Sequence, residues 1–462
     1  MKKFLLSTLM SSVLIACTST TVPTSSSVTL PEQFEKNVNA MGSADIRQWW
    51  TFWHDPQLNQ LIEQALIHNK DIALAQAHLA EAQATSQLAT ADKGIQIGAG
   101  ANIGAGRGRV SDIPLLGAQS ESASVAGAGI VASWEPDFFG KKQSDADAAM
   151  YAALSKEEQL YATQLAIVAQ VAQSYFQFNT LWQYHALVDN HLAVLQKIQQ
   201  YLQGRFQAGH INRYDINEVK SSILNLRAQQ SDLQAQAESL QRQIAVLLGQ
   251  TPQAISLQKN LNILQRTPAA PSGQLPGTVM ERRPDVRAYA LAIQARAAQV
   301  ASAKADLLPR FDIQFLGQGG RLSLSSDLSS LSGLGGLVSA GVQLPIFTNG
   351  RIQANIQAAD ARLKASVIEY DQALLKALAE VESYYQMSDA LTQKVALLEK
   401  TVQQQRQQTT AANTLFQHGH KTLDEVLRSQ LNTLATQQEL TKVRLARQEN
   451  MIGLYKALGG GW

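Results

Sequence analysis

The chain has 462 residues, of which only 16% are charged and 6% aromatic; soluble domains carry roughly 25% charged residues, and so few aromatics exclude a protein built mainly of sandwiches or propellers. Once a leader carrying Lys2 and Lys3 is removed, 37 of the 39 basic residues remain against 37 acidic ones, and a neutral chain without a basic patch excludes a nucleic-acid partner. No run of 18 apolar residues follows the N-terminus, so any membrane crossing has to be a closed β-barrel.

Lys2 and Lys3 precede an apolar run from Phe4 to Ile15, which ends at Leu14-Ile15-Ala16-Cys17. This is the pattern of a bacterial lipoprotein signal. Residues 1–16 are therefore read as a signal peptide, and Cys17 as the residue that carries lipid, palmitate included. Cys17 is the chain's one cysteine, so no internal disulfide is possible. Residues 17–48 are expected to form a lipidated tether, with the Ser/Thr-rich stretch 18–30 flexible. The fold is expected to begin near Trp49-Trp50-Thr51-Phe52-Trp53, with Asp55 capping a helix whose first residue is Pro56.

The rest of the chain reads as two copies of one plan, 49–260 and 261–462. Asp71–Asp92 matches Asp285–Asp306 at an offset near 214. Gly140-Lys141-Lys142-Gln143 matches Gly350-Arg351-Ile352-Gln353, and Phe206-Gln207-Ala208-Gly209-His210 matches Phe416-Gln417-His418-Gly419-His420, both at an offset of 210. Each copy predicts a short helix, two strands, a very long helix, a Gly turn and a shorter helix. From Lys141 to Gln203 there is no proline, and Leu181, Val188, Leu195 and Leu202 recur every seven residues. Tyr370, Ala377, Tyr384, Leu391 and Leu398 do the same in the second copy. Sustained sevens predict antiparallel coiled-coil-like seams.

The strands are marked by a period of two. Ile95, Ile97, Ala99, Ala101, Ile103 and Ala105 alternate with polar or glycine residues, as do Phe311, Ile313 and Phe315, and Val338, Ala340, Val342 and Leu344. Turn-like linkers are expected at Ser111-Asp112-Ile113-Pro114 and over the Ser/Gly/Leu-rich stretch Ser323 to Gly336. Four strands per chain cannot close a spanning barrel, since the smallest have about eight. Several chains must then share one sheet.

With these landmarks placed, the sequence resembles the TolC-like outer-membrane efflux family, in its lipoprotein branch serving resistance-nodulation-division pumps. The residues that carry the resemblance are Trp49-Trp50 with Asp55-Pro56, Trp134-Glu135-Pro136-Asp137-Phe138-Phe139-Gly140, Arg282-Arg283-Pro284-Asp285-Val286, Leu344-Pro345-Ile346-Phe347-Thr348-Asn349-Gly350-Arg351 and the Gly209 and Gly419 turns. The resemblance implies a mainly α fold with a small β part, and a homotrimer whose twelve-stranded barrel lies in the outer membrane above a periplasmic helical tunnel. It implies a passive conduit for drugs or other small toxic compounds, with a periplasmic membrane-fusion adaptor, an inner-membrane efflux pump and outer-membrane lipid as partners. The turns at Gly209-His210 and Gly419-His420 would meet the adaptor. Asp215 and Glu425 take the positions of the family's acidic entrance residues. Arg428 stands where many relatives place a second acid, and Phe416 replaces a tyrosine whose hydroxyl holds the entrance shut in some members. Glu425 and Arg428, three apart on a helix, are expected to pair.

Two other classes remain open: a periplasmic lipid-anchored structural or adaptor coiled coil, and a lipid-anchored enzyme. No paired-carboxylate, Ser-His-Asp or phosphate-loop signature supports the enzyme. His210, His418 and His420 suggest metal only weakly without a carboxylate or cysteine at ligand spacing, so no metal and no cofactor is expected beyond the lipid on Cys17. His185 shares the seven-residue series of Phe178 and Leu192 and is read as a packed side chain.

Overall fold

The computed structural model describes residues 23–35, 45–110, 119–324 and 331–460. Cys17 and the Ser111–Pro114 linker lie outside them. In chain order the elements are a 3-10 turn at Trp49–Trp53, α1 (Pro56–His68), α2 (Lys70–Ala91), β1 (Gln96–Val110), β2 (Gln119–Trp134), α3 (Lys141–Gln207) and α4 (Arg213–Leu247). The second half continues with α5 (Pro276–Arg282), α6 (Pro284–Ala305), β3 (Arg310–Leu324), β4 (Leu331–Gln343), α7 (Arg351–Gln417) and α8 (Leu423–Ala457). The two halves match in length: α2 and α6 have 22 residues each, α3 and α7 have 67, and α4 and α8 have 35. At about 1.5 Å per residue, α3 and α7 are each roughly 100 Å of helix.

The sequence repeats are not the compact units in space. One unit takes Ala80–Ser155 and Tyr289–Tyr370, and the other takes Val28–Leu79, Lys156–Ala288 and Asp371–Trp462. Both units draw on both repeats. In the sheet unit, Ile293, Val300 and Ala303 of α6 pack against Ile352, Ile356, Ala359 and Leu363 of α7. The spacing of the α7 set, 4, 3 and 4, keeps one face toward its partner.

In the helical unit the four long segments share a core. Val188, Leu195 and Leu202 of α3 are buried as the sevens predicted, beside Val219, Ile223 and Leu226 of α4 and Val426, Leu427 and Leu434 of α8. The seam of α7 runs differently from the expected one. Leu374, Val381, Ser388, Val395 and Val402, also spaced by seven, are all buried, whereas of the expected series Ala377 is buried and Tyr370, Tyr384, Leu391 and Leu398 are half-buried. Two series three or four residues apart form the two sides of one coiled-coil stripe, and the aromatic and leucine side chains drew attention to the shallower side.

Two polar motifs fasten the helical unit. Asp55, 4% exposed, caps α1 by accepting from the Leu58 N–H and also accepts from the Tyr175 hydroxyl at 3.0 Å and the Asn260 amide at 2.8 Å. At the far end of the chain, α8 closes in a left-handed Gly459, φ 73°, whose neighbour Gly460 donates to the Tyr455 carbonyl. The last carbonyls of the helix need donors, and two arginines supply them. Arg282 donates to Leu458 O at 2.6 and 2.9 Å, and buried Arg283 to Ala457 O at 3.0 Å, while also holding Asp285 and Glu380. Burial opposes the charge of Asp285, but its bonds to Arg283 prevail and hold the carboxyl below its ordinary range. The Arg282-Arg283-Pro284-Asp285 motif is thus a clamp on the C-terminus of α8.

Part of the expected tether is laid against the protein. Phe34 is 1% exposed and meets the Tyr385 ring, the Glu35 N–H donates to Glu382, and Ile46 is 2% exposed. The fold therefore takes in residues ahead of Trp49, because burial of the Phe34 and Ile46 side chains fixes them.

Candidate functional site: a two-faced sheet and paired helical turns

The sheet has the order β1-β2-β3-β4, antiparallel throughout, with β1 and β4 as open edges. The pairing is continuous, so every row keeps one face. On one face Ile97, Ala99, Ala101 and Ile103 sit opposite Ala132, Ile130, Ala128 and Ala126. Phe311, Ile313 and Phe315 of β3 and Val338, Ala340 and Val342 of β4 continue this apolar face. The other face carries Gln96, Asn102, Ser133, Gln314, Gln318, Ser339 and Gln343 among glycines, with two rows of apolar side chains, Val131, Leu316 and Leu337 in one and Val125 and Leu322 in the other. The linker expected at Ser323 to Gly336 is shorter than that. Leu331–Gly336 belong to β4, with Gly317 opposite Gly336 and Gly320 opposite Gly333, and residues 325–330 lie outside those described. Glycine suggests a turn in sequence, but Gly333, Gly335 and Gly336 are paired strand residues of β4.

Near the helix ends the sheet meets a charged collar. Lys141 pairs with Asp306 at 2.8 Å, Asp306 with Arg310 at 2.8 Å, and Lys142 with Glu135 at 3.4 Å. Phe138 stands edge-on to Phe311 at 5.1 Å and is 68% exposed, as Phe347 is 85% exposed. Phe138 therefore presents an apolar ring beside the apolar face of the sheet.

In the helical unit the two Gly turns have the same construction. Gly209 and Gly419 have φ of 81° and 76°. His210 donates to Arg205 O and His420 to Leu415 O, at 2.9 and 2.8 Å, which closes α3 and α7 with a six-residue backbone bond. Asn212 and Thr422 then cap α4 and α8. The shared core holds both turns near one another, with Tyr201 against Phe416 at 5.5 Å.

Of the expected entrance residues, Asp215 is half-buried in the first turn of α4, and His210, His418 and His420 are exposed. Phe416 is 9% exposed and belongs to the core, so its ring packs the turn and does not stand at a free surface of this chain. Glu425 and Arg428 do not pair. Glu425 is the third residue of α8 and completes a capping box with Thr422, while Lys421 binds its other oxygen at 2.8 Å. Those bonds, from Lys421 first and then Thr422, hold its carboxyl down to about 2. Arg428 turns to Asp424, one helical turn back, at 2.7 Å. The reason is local: the cap consumes Glu425 before Arg428 can reach it. Lys421, Thr422 and Asp424 were missed in sequence, although Thr422-Leu423-Asp424-Glu425 spells a capping box. His185 is partnered by Asp189 at 3.0 Å and lies against Trp182. Among the described residues no three His, Cys, Asp or Glu side chains gather as a metal site.

Comparison with known proteins agrees with this geometry. The family described as Outer membrane efflux protein matches residues 61–250 and 275–460. The chain is 30% identical over 444 residues to the cation efflux system protein CusC of Escherichia coli O6:H1, covering 94% of this chain and 93% of that one. It is 29% identical over 454 residues to the pyoverdine export outer membrane protein OpmQ of Pseudomonas aeruginosa, covering 97% and 94%. The solved structure of the outer-membrane channel OprN shares the fold, with a TM-score of 0.83 and 23% identity over 95% of this chain and 98% of that one. A family match across both halves, joined to a sheet with one apolar face and a long helical unit, makes this chain a member of the outer membrane efflux protein family, an efflux channel subunit of the outer membrane.

Proposed function

We propose that three copies of this chain close a twelve-stranded barrel and act without catalysis as a passive conduit for drugs or other small toxic compounds. An inner-membrane pump supplies the energy and a periplasmic adaptor joins the two. The observation that carries this reading is the four-stranded sheet with an apolar face that runs across all four strands from Val342 to Ala101, and two unpaired edges. Such edges cannot stand in lipid, and pairing β1 of one copy with β4 of the next removes them. A periplasmic structural or adaptor coiled coil has no use for that face. The similar construction of the Gly209-His210 and Gly419-His420 turns supports their role as adaptor-docking points, and Asp215, Glu425 and Arg428 are proposed to line the entrance. Lipid on Cys17 anchors the N-terminus.

The test is assembly. Membranes should yield a detergent-resistant trimer that falls to monomer on boiling, and radiolabelled palmitate should enter the wild type but not Cys17→Ser. Cys17→Ser should still form the trimer, because the barrel holds it in the membrane. A soluble monomer after loss of the lipid would reject the barrel. The entrance has its own test, since Arg428 balances Asp424 and faces Glu218. Arg428→Glu should therefore move the reversal potential in planar bilayers toward cations, and Glu425→Gln should move it the other way while keeping the cap. Unchanged selectivity in both places these residues away from the entrance.

A further inference from the structure

The register of the sheet permits a finer reading of the cargo, one that rests on the conduit proposed above. The polar face becomes the inside of the barrel, because the apolar face must meet lipid. Across that inside face, Gly98, Val131, Leu316 and Leu337 occupy one continuous row of paired positions. Val131 is 45% and Leu337 60% exposed, so the row is a surface and not a core. Farther along, Val125 sits opposite Leu322 in a second row, again with both side chains exposed.

Between the two rows the wall is made of glycine. Gly129 faces Gln318 and Gly127 faces Gly320, and a Cβ on Gly127 would lie 2.9 Å from Asn102 Oδ1. The branched side chains therefore stand out as two apolar bands, with the amides of Asn102 and Gln318 between them. From the Gly98 row to the Gly104 row no inward position carries a charge. Arg310 and Asp312 begin β3 on this face, and beyond Asp312 no inward position with a described side chain carries a charge. A groove across the sheet is lined by Asn102, Val125, Val131, Leu316, Gln318 and Leu337 among others.

We infer that this inner wall, two bands of branched apolar side chains around a glycine belt, is built to pass molecules with an apolar body, uncharged or amphiphilic. Between the two bands metal cations find no carboxylate. Apolar surface leaves water favourably wherever it meets such a band, and the amides accept or donate to a polar substituent as it passes. A cation gains nothing on this wall, since an ion attracted electrostatically needs fixed counter-charge. The two relatives named above are called cation efflux and pyoverdine export proteins, so kinship alone leaves the cargo undecided.

The experiment uses the purified trimer in planar bilayers, with n-alkyltrimethylammonium ions from butyl to octyl added on the extracellular side. The head group is constant, so chain length isolates the apolar contribution. The concentration that halves the current should fall about two- to fourfold per added methylene, while millimolar magnesium ions leave the current unchanged. In the triple variant Val131→Asn, Leu316→Asn, Leu337→Asn, the chain-length dependence should drop to below about 1.5-fold, with the trimer and its conductance retained. Leu316→Asn alone should show half of that loss and covers the case in which the triple variant fails to assemble. Block independent of chain length in the wild type, an equal dependence in the variants, or block by magnesium ions at lower concentration than the octyl ion overturns the inference. A trimer that conducts no ions at all overturns the conduit itself, which is a distinct result.

Discussion

Replacing Ile130 by Lys is expected to abolish trimer assembly, whereas Val131→Lys, one residue on, should leave it nearly intact. Ile130 lies in the middle of the outward apolar series of β2, Ala126, Ala128, Ile130, Ala132 and Trp134, opposite Ala99 on one side and Gly317 on the other. A lysine at the bilayer midplane costs roughly 2–4 kcal/mol per chain on a barrel's lipid face, and each trimer carries it three times. Few native structures have that margin, for net stability is typically about 5–15 kcal/mol. Val131 belongs to the opposite face, where water is available. The measurement is the heat-modifiable trimer band from outer membranes. Equal loss in both variants would mean that the sheet does not divide lipid from lumen.

The second large effect is expected at Gln448. This side chain is 0% exposed, accepts from the Trp53 indole at 2.7 Å, and donates to Leu264 O, Arg266 O and the Thr267 hydroxyl. One amide thereby ties the opening 3-10 turn to the link between the repeats. Gln448→Leu fills similar volume but leaves an indole N–H and two carbonyls without partners. At about 1–3 kcal/mol for each buried orphan, partly relieved by relaxation, the loss should be about 3–4 kcal/mol. Urea unfolding of the detergent-solubilised protein should show it as a lower midpoint. Trp53→Phe removes the orphaned donor, so the double variant should lose less than the sum of the singles. Additive losses would show that the bond between Trp53 and Gln448 contributes nothing.

These two expectations draw on different layers of information. The outer face of the sheet was legible in the sequence, because Ile97 to Ile103 and Phe311 to Phe315 alternate with a period that only a strand produces. The long helices were equally plain, since matched landmarks at an offset of 210 and heptads without proline admit little else. Asp55-Pro56 and the two Gly turns were also readable, as caps and left-handed glycines depend on the chain within four residues of themselves.

What the sequence by itself determined is therefore whatever short-range chemistry dictates: periods, caps, turns, the repeat and the family. The tertiary structure alone decided which residues from distant parts of the chain meet. It made Val381 and Val395 the deep side of the α7 seam, sent Arg283 to the end of α8, and aligned Val131, Leu316 and Leu337 in one row. Strand register and helix pairing are set by the summed packing of many weak contacts. No single residue announces that sum, so the faces can be read from the chain while the partners across them cannot.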